Sequence, residues 1–147
     1  MKYLLLFIFG ISFGQVENTS VKYNTIYFTE SIKNDSTYIS KLTENPKIII
    51  TGNKGIFKNA KCNCKGNSIF MRDEFNFEFT IKDNLVEIYN VRFINSTQWE
   101  LNGVKTSSLE TSLESYALKK DNTLRDGAIF LKNYKCLNDF FKEIFTQ

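Results

Sequence analysis

The three cysteines are the most reactive side chains in the sequence: Cys62 and Cys64 stand two residues apart, and Cys136 lies far down the chain. Two chemistries fit that pattern. In an exported protein the first is a disulfide. Cysteines at i and i+2 rarely bond to each other without strain, so Cys136 is expected to pair with Cys62 or Cys64, leaving one thiol over. Such a bond ties a lysine-rich loop to the last helix and stabilises by about 2–4 kcal/mol. The second chemistry is a soft-metal site of three thiolates. The chain has no histidine to complete a common zinc set, so the disulfide is the stronger expectation and no metal or other cofactor is expected.

The lack of histidine also removes Ser-His-Asp, Cys-His and other imidazole acid–base chemistry from the chain's own side chains. Carboxylates remain. Glu78 and Glu87 fall near each other on the outer face of a hairpin, and glycosidases use such pairs. Alternating charge on a wet strand face is nonetheless ordinary, and the expectation is a protein that is not an enzyme. Lys54, Lys58, Lys61 and Lys65 belong to a stretch, residues 47–71, that contains no acidic residue. They are candidates for holding an anionic partner, against the plainer reading of a solvated basic loop. Trp99, the single tryptophan, is a candidate aromatic contact beside Phe93; more plainly, it caps the hydrophobic layer.

Those residues need a frame, and the stretch 74–94 supplies it. Phe75, Phe77, Phe79 and Ile81 alternate with Glu74, Asn76, Glu78 and Thr80, the period-two pattern of a strand with one buried face. Asp83 and Asn84 form a turn, because both tolerate left-handed backbone angles. A two-residue turn sets Ile81 opposite Val86 and Phe79 opposite Ile88. Further out the pattern breaks, and a β-bulge near Tyr89 and Asn90 is expected to return Val91 and Phe93 to the apolar face.

Met1 and Lys2 followed by an apolar run of about ten residues read as a signal peptide over residues 1–14, with cleavage before Gln15. That run is too short to span a bilayer, which needs about 20 residues. Residues 15–20 read as a flexible lead-in and residues 21–147 as one domain, long enough to bury a core without staples. Residues 21–30 read as the first strand. Asn34, Asp35 and Ser36 cap a short helix that must end before Pro46, and residues 47–51, 56–57 and 68–71 read as strands. Ser107 and Glu110 suggest a capping box ahead of Leu109, Leu113, Tyr116 and Ala117. Phe130, Tyr134, Leu137, Phe141 and Ile144 form one helical stripe, with Ile129 and Phe140 on its flank. It predicts a helix from about residue 124 to 145, laid on the open face of the sheet. The fold class is therefore α+β: an antiparallel β-meander with helices on one face, a two-layer sandwich.

The leader, the run Ile48-Ile49-Ile50-Thr51-Gly52 leading to Gly55, the Phe-rich strand ending at Asn84 and the terminal helix carrying Leu137 and Ile144 together resemble an exported bacterial domain-of-unknown-function family with a TATA-binding-protein-like fold. The resemblance covers most of residues 21–145. It implies a curved antiparallel sheet with helices on one face and no established activity. The fold name carries no license for DNA binding.

Formal net charge is +3, and loss of the leader removes only Lys2, so the mature chain is close to neutral. Nucleic acid is not an expected partner, since it usually demands a concentrated basic face. The expected function is contact with a protein or glycan in the periplasm or outside the cell. The alternative is a carrier holding a small apolar ligand between the sheet and the C-terminal helix, motivated by fourteen phenylalanines.

Overall fold

A computed structural model describes residues 17–32, 36–62, 74–95, 100–101, 104–105 and 109–146. In chain order come β1 (Thr19–Lys22), β2 (Thr25–Ser31), α1 (Ser36–Glu44), β3 (Ile48–Thr51), β4 (Lys54–Ala60), β5 (Glu74–Lys82) and β6 (Leu85–Asn95). Then follow β7 (Glu100–Leu101), β8 (Val104–Lys105), β9 (Leu109–Ser112), α2 (Leu113–Ala117) and α3 (Ala128–Phe145). The main antiparallel sheet has seven strands in the order β1-β2-β6-β5-β4-β3, with β9 also paired to β6; β7 and β8 form a separate two-stranded ladder. Strands β3 to β6 make the expected meander, and the β1–β2 hairpin joins it along β6. The chain is thus α+β, with helices on an open antiparallel sheet.

The β5–β6 hairpin behaves as its alternation dictates. Asp83 takes φ 53 in the turn, Ile81 opposes Val86, and Phe79 opposes Ile88. Beyond Glu78 and Tyr89 the register shifts, so that Asn76 opposes Arg92 and one extra residue of β6 is accommodated. This is the expected bulge. Asn90 sits in it at φ 56, its Nδ2 donates to Glu78 Oε1 at 3.0 Å, and Val91 and Phe93 return to the buried face. A second bulge, absent from the sequence reading, lies across β5 at the same level. Register between β4 and β5 shifts after Phe57, Asn59 takes φ 52, and its N–H donates to Asn76 Oδ1 at 2.9 Å. Two bulges flanking one stretch of β5 bend and twist the sheet there.

Three expectations are corrected. Residues 21–30 are not one strand: Tyr23 and Asn24, both at positive φ, turn the chain between β1 and β2, and Thr19 and Ser20 of the supposed lead-in already belong to β1. Leu109 and Glu110 do not start a helix. They belong to β9, which pairs with the far half of β6, and the helix cap is Ser112, whose side chain accepts the Ser115 N–H. Leu124 precedes α3 rather than opening it, because it bridges back to Leu118 while the Arg125 N–H is drawn to Ala117 O at 2.8 Å. The helix begins after Gly127 instead.

α3 then covers the rings of β5. Phe141 meets Phe77 edge-on and Phe28 tilted, each with centroids 5.0 Å apart. Phe145 meets Phe79 at 5.0 Å, and Phe140 meets Phe75 at 5.3 Å. The buried line of α3 is Tyr134, Leu137, Phe141 and Phe145, rotated slightly from the expected stripe, so Ile144 is only half-buried. Tyr38 and Leu42 of α1 complete the same core.

Gly55 pairs with Phe79 across β4 and β5, and any Cβ there would run into the Phe79 ring. Gly55→Ala is expected to lower unfolding free energy by about 1–3 kcal/mol through overpacking, and Phe79→Leu in the same chain to recover part of the loss. Urea titrations of the single and double variants check this; a single variant as stable as wild type refutes the contact.

Candidate functional site

Where Phe rings fill the space between sheet and helix, the core is solid. At the other end of α3 the packing leaves room. A cavity of about 310 Å³ lies between α2 and the first turns of α3, floored by Phe93 and walled by Leu113, Ala117, Ile129, Phe130 and Tyr134. Its surface is mainly apolar, with Ser115, Tyr116, Arg125 and Asn133 as the polar lining. That size and make-up match the lower range of small-ligand sites, whose few polar groups orient an apolar guest. The walls are fixed by hydrogen bonds at Ala117 O, which accepts from the Arg125 N–H at 2.8 Å and from Tyr134 Oη at 3.1 Å. Burial pushes the Tyr134 phenol up to about 12, against the opposing pull of the Arg125 charge. It is therefore a neutral donor at physiological pH and no base.

Arg125 stands at the mouth. Its guanidinium carbon lies over the Phe130 ring, 5.7 Å from the centroid, and its Nε donates to Leu118 O at 3.3 Å. The neighbouring carboxylate, Asp126, is engaged by Lys119 at 3.1 Å. Ile129 is half exposed at 51%, an apolar side chain left at the rim.

The residues singled out from the sequence fall elsewhere. Lys54, Lys58 and Lys61 are exposed along β4 and just beyond it, and Lys65 and Trp99 lie outside the described residues. Lys54 borders a shallow hollow of about 160 Å³ on the outer sheet face, with Ile49, Ile56, Glu78 and Tyr89. Cys62 is buried in the core and Cys136 lies half-buried against it, while Cys64 is outside the described residues. Among the described residues no group of three or more Cys, Asp and Glu is placed to hold a metal. Glu78 and Glu87 do not converge in a cleft: Glu78 accepts from Asn90, and Glu87 pairs with Lys22 at 3.5 Å. Sequence reasoning missed the cavity, since its lining comes from β6, α2, the link to α3 and α3 itself. Arg125 beside the exposed Ile129 was the available signal.

A buried acid was also missed. Glu30 continues the Ile26 and Phe28 row onto the core face of β2 and is only 4% exposed. Its Oε1 has no hydrogen-bond partner among the described residues. Burial raises its carboxyl above the ordinary value, with the Lys142 charge and the Asn18 side chain drawing it partly back.

No protein-family model matches the chain, and no curated protein matches it. Among solved structures the chain is similar to a DUF4468 family protein from Bacteroides ovatus ATCC 8483, at 17% identity, 88% coverage of this chain and 87% of that chain, with a TM-score of 0.46. At that level the likeness supports no statement about activity. Among the described residues no helix is long and apolar enough to cross a membrane.

Because the folded pKa of Glu30 lies above its unfolded value near 4.5, its favourable share of stability is complete below that value and is lost as pH rises through the folded pKa. Glu30→Gln is therefore expected to match wild type at about pH 4 and to exceed it at about pH 7. Thermal melts at both pH values decide; a gain that does not change between them rejects the buried-acid reading.

Proposed function

We propose that this protein is a non-enzymatic binding protein that holds a small, mainly apolar ligand between α2 and α3. One observation carries the reading: a cavity of about 310 Å³ with mostly apolar walls beside the Phe-filled part of the core. It takes up the carrier alternative, a small apolar ligand between the sheet and the C-terminal helix, with Phe93 as the sheet's contribution and α2 as an added wall. The absence of histidine and the separate engagement of Glu78 and Glu87 favour binding over hydrolysis.

A second reading, contact with an envelope protein or glycan, draws on the outer sheet face. There Ile49 and Ile56 are exposed beside Lys54 and Tyr89, and Lys58 and Lys61 extend the basic edge; Lys65 and Trp99 belong to the same proposal. The chain is taken to act in the periplasm or outside the cell after cleavage before Gln15. It is also taken as a distant relative of the uncharacterised exported family with the TATA-binding-protein-like fold. A disulfide from Cys136 to Cys62 or Cys64 suits that compartment.

Octanol titrated into the isotopically labelled protein is expected to shift amide signals around Phe93, Leu113, Ala117 and Phe130. Ile129→Trp, which fills the mouth from an exposed position, is expected to abolish those shifts with a stability change within about 0.5 kcal/mol. Shifts scattered over the outer sheet face, or none, reject the carrier. Intact-mass measurement of the exported protein, before and after alkylation with and without reduction, should find a chain starting at Gln15 with one disulfide. Retention of the leader, or three alkylated thiols without reduction, rejects export or the bond respectively.

A further inference from the structure

We infer that the ligand of this cavity is a small amphipathic carboxylate whose hydrocarbon part enters between Phe93, Leu113 and Ile129 and whose single negative charge is met by Arg125. The inference rests on the carrier reading and adds the chemistry of the head group. Within the lining of the cavity Arg125 is the one ionised group at neutral pH, since the Tyr134 phenol, raised to about 12, stays neutral. The nearest carboxylates do not compete for it. Asp126 is paired with Lys119 at 3.1 Å, and Glu114 of α2 accepts the Ile26 backbone N–H at 3.1 Å. Asp126 and Lys119 cancel as a pair and the Glu114 carboxylate is turned to the β2 backbone, so within the lining itself Arg125 is the one formal charge.

The guanidinium is also held in place. Stacking over Phe130 at 5.7 Å and the bond from Nε to Leu118 O at 3.3 Å hold the plane while leaving the two terminal nitrogens to donate. That planar fork matches a carboxylate through two parallel bonds. A doubly charged phosphate would be left half-neutralised beside apolar walls, where unpaired charge is costly. Ile129, 51% exposed at the rim, suits a hydrocarbon chain that is only partly swallowed.

Calorimetric titration of the full protein with octanoate and with octanol at neutral pH separates the alternatives. Octanoate is expected to bind about tenfold more tightly, the size of a charge-assisted hydrogen bond in affinity terms. Arg125→Gln is expected to bring octanoate to the octanol level without changing octanol, and Arg125→Lys to keep only part of the advantage. Raising the salt concentration is expected to shrink the advantage in wild type alone. Equal binding of the two probes in wild type overturns the head-group inference and leaves the carrier reading standing. Loss of octanol binding in Arg125→Gln also overturns it, because the arginine then only shapes the loop. Failure of both probes to bind overturns the carrier reading together with this inference.

Discussion

Phe77 touches rings on every side: Phe57 stacked at 5.1 Å on β4, Phe75 and Phe79 along its own strand, and Phe141 edge-on at 5.0 Å from α3. A fully buried Phe contributes about 1.5–3 kcal/mol, and a well-placed ring pair adds about 0.5–1.5 kcal/mol beyond area. The row Phe75, Phe77, Phe79 is therefore the constraint the other elements answer to. β4 presents Gly55 because Phe79 occupies the space above it. α3 lies where its own Phe140, Phe141 and Phe145 can meet that row edge-on. Edge-to-face geometry is what the aromatic quadrupole prefers, so the helix is set in position as well as attached.

The two bulges serve the same row. At Asn90 an extra residue keeps Val91 and Phe93 in the core after the strict alternation has failed. At Asn59 another brings Ala60 opposite Phe75. Asparagine holds both sites because its short side chain tolerates the left-handed backbone region and can bond locally. Of the seven non-glycine residues at positive φ among the described ones, five are asparagines, which gives the Asn-rich composition a structural use.

Toward the start of α3 the packing opens. Between α2 and the start of α3 the lining mixes the rings of Phe93, Tyr116, Phe130 and Tyr134 with Ser115 and Ala117. Arg125 belongs to the link between the two helices there. At the other side of the same layer Glu30 is buried near Lys142, and burying a carboxyl costs stability that apolar packing would not. The helix thus covers an aromatic centre, with the cavity toward its start and Glu30 toward its end.

Much of this was legible in the sequence, because period-two alternation and helical stripes are local records of burial. The β5–β6 hairpin, its two-residue turn, the bulge that rescues Phe93, the meander and the amphipathic α3 all follow from residue spacing alone. What spacing could not supply was the break at Tyr23 and Asn24, where a tyrosine holds a left-handed angle it rarely adopts, or the strand at Leu109, whose pairing with β6 overrides a helix-like pattern. The cavity is likewise a tertiary product. Phe93, Ala117, Arg125 and Phe130 become neighbours only when strand, short helix, link and long helix meet, and no local periodicity encodes a space that several elements jointly leave empty.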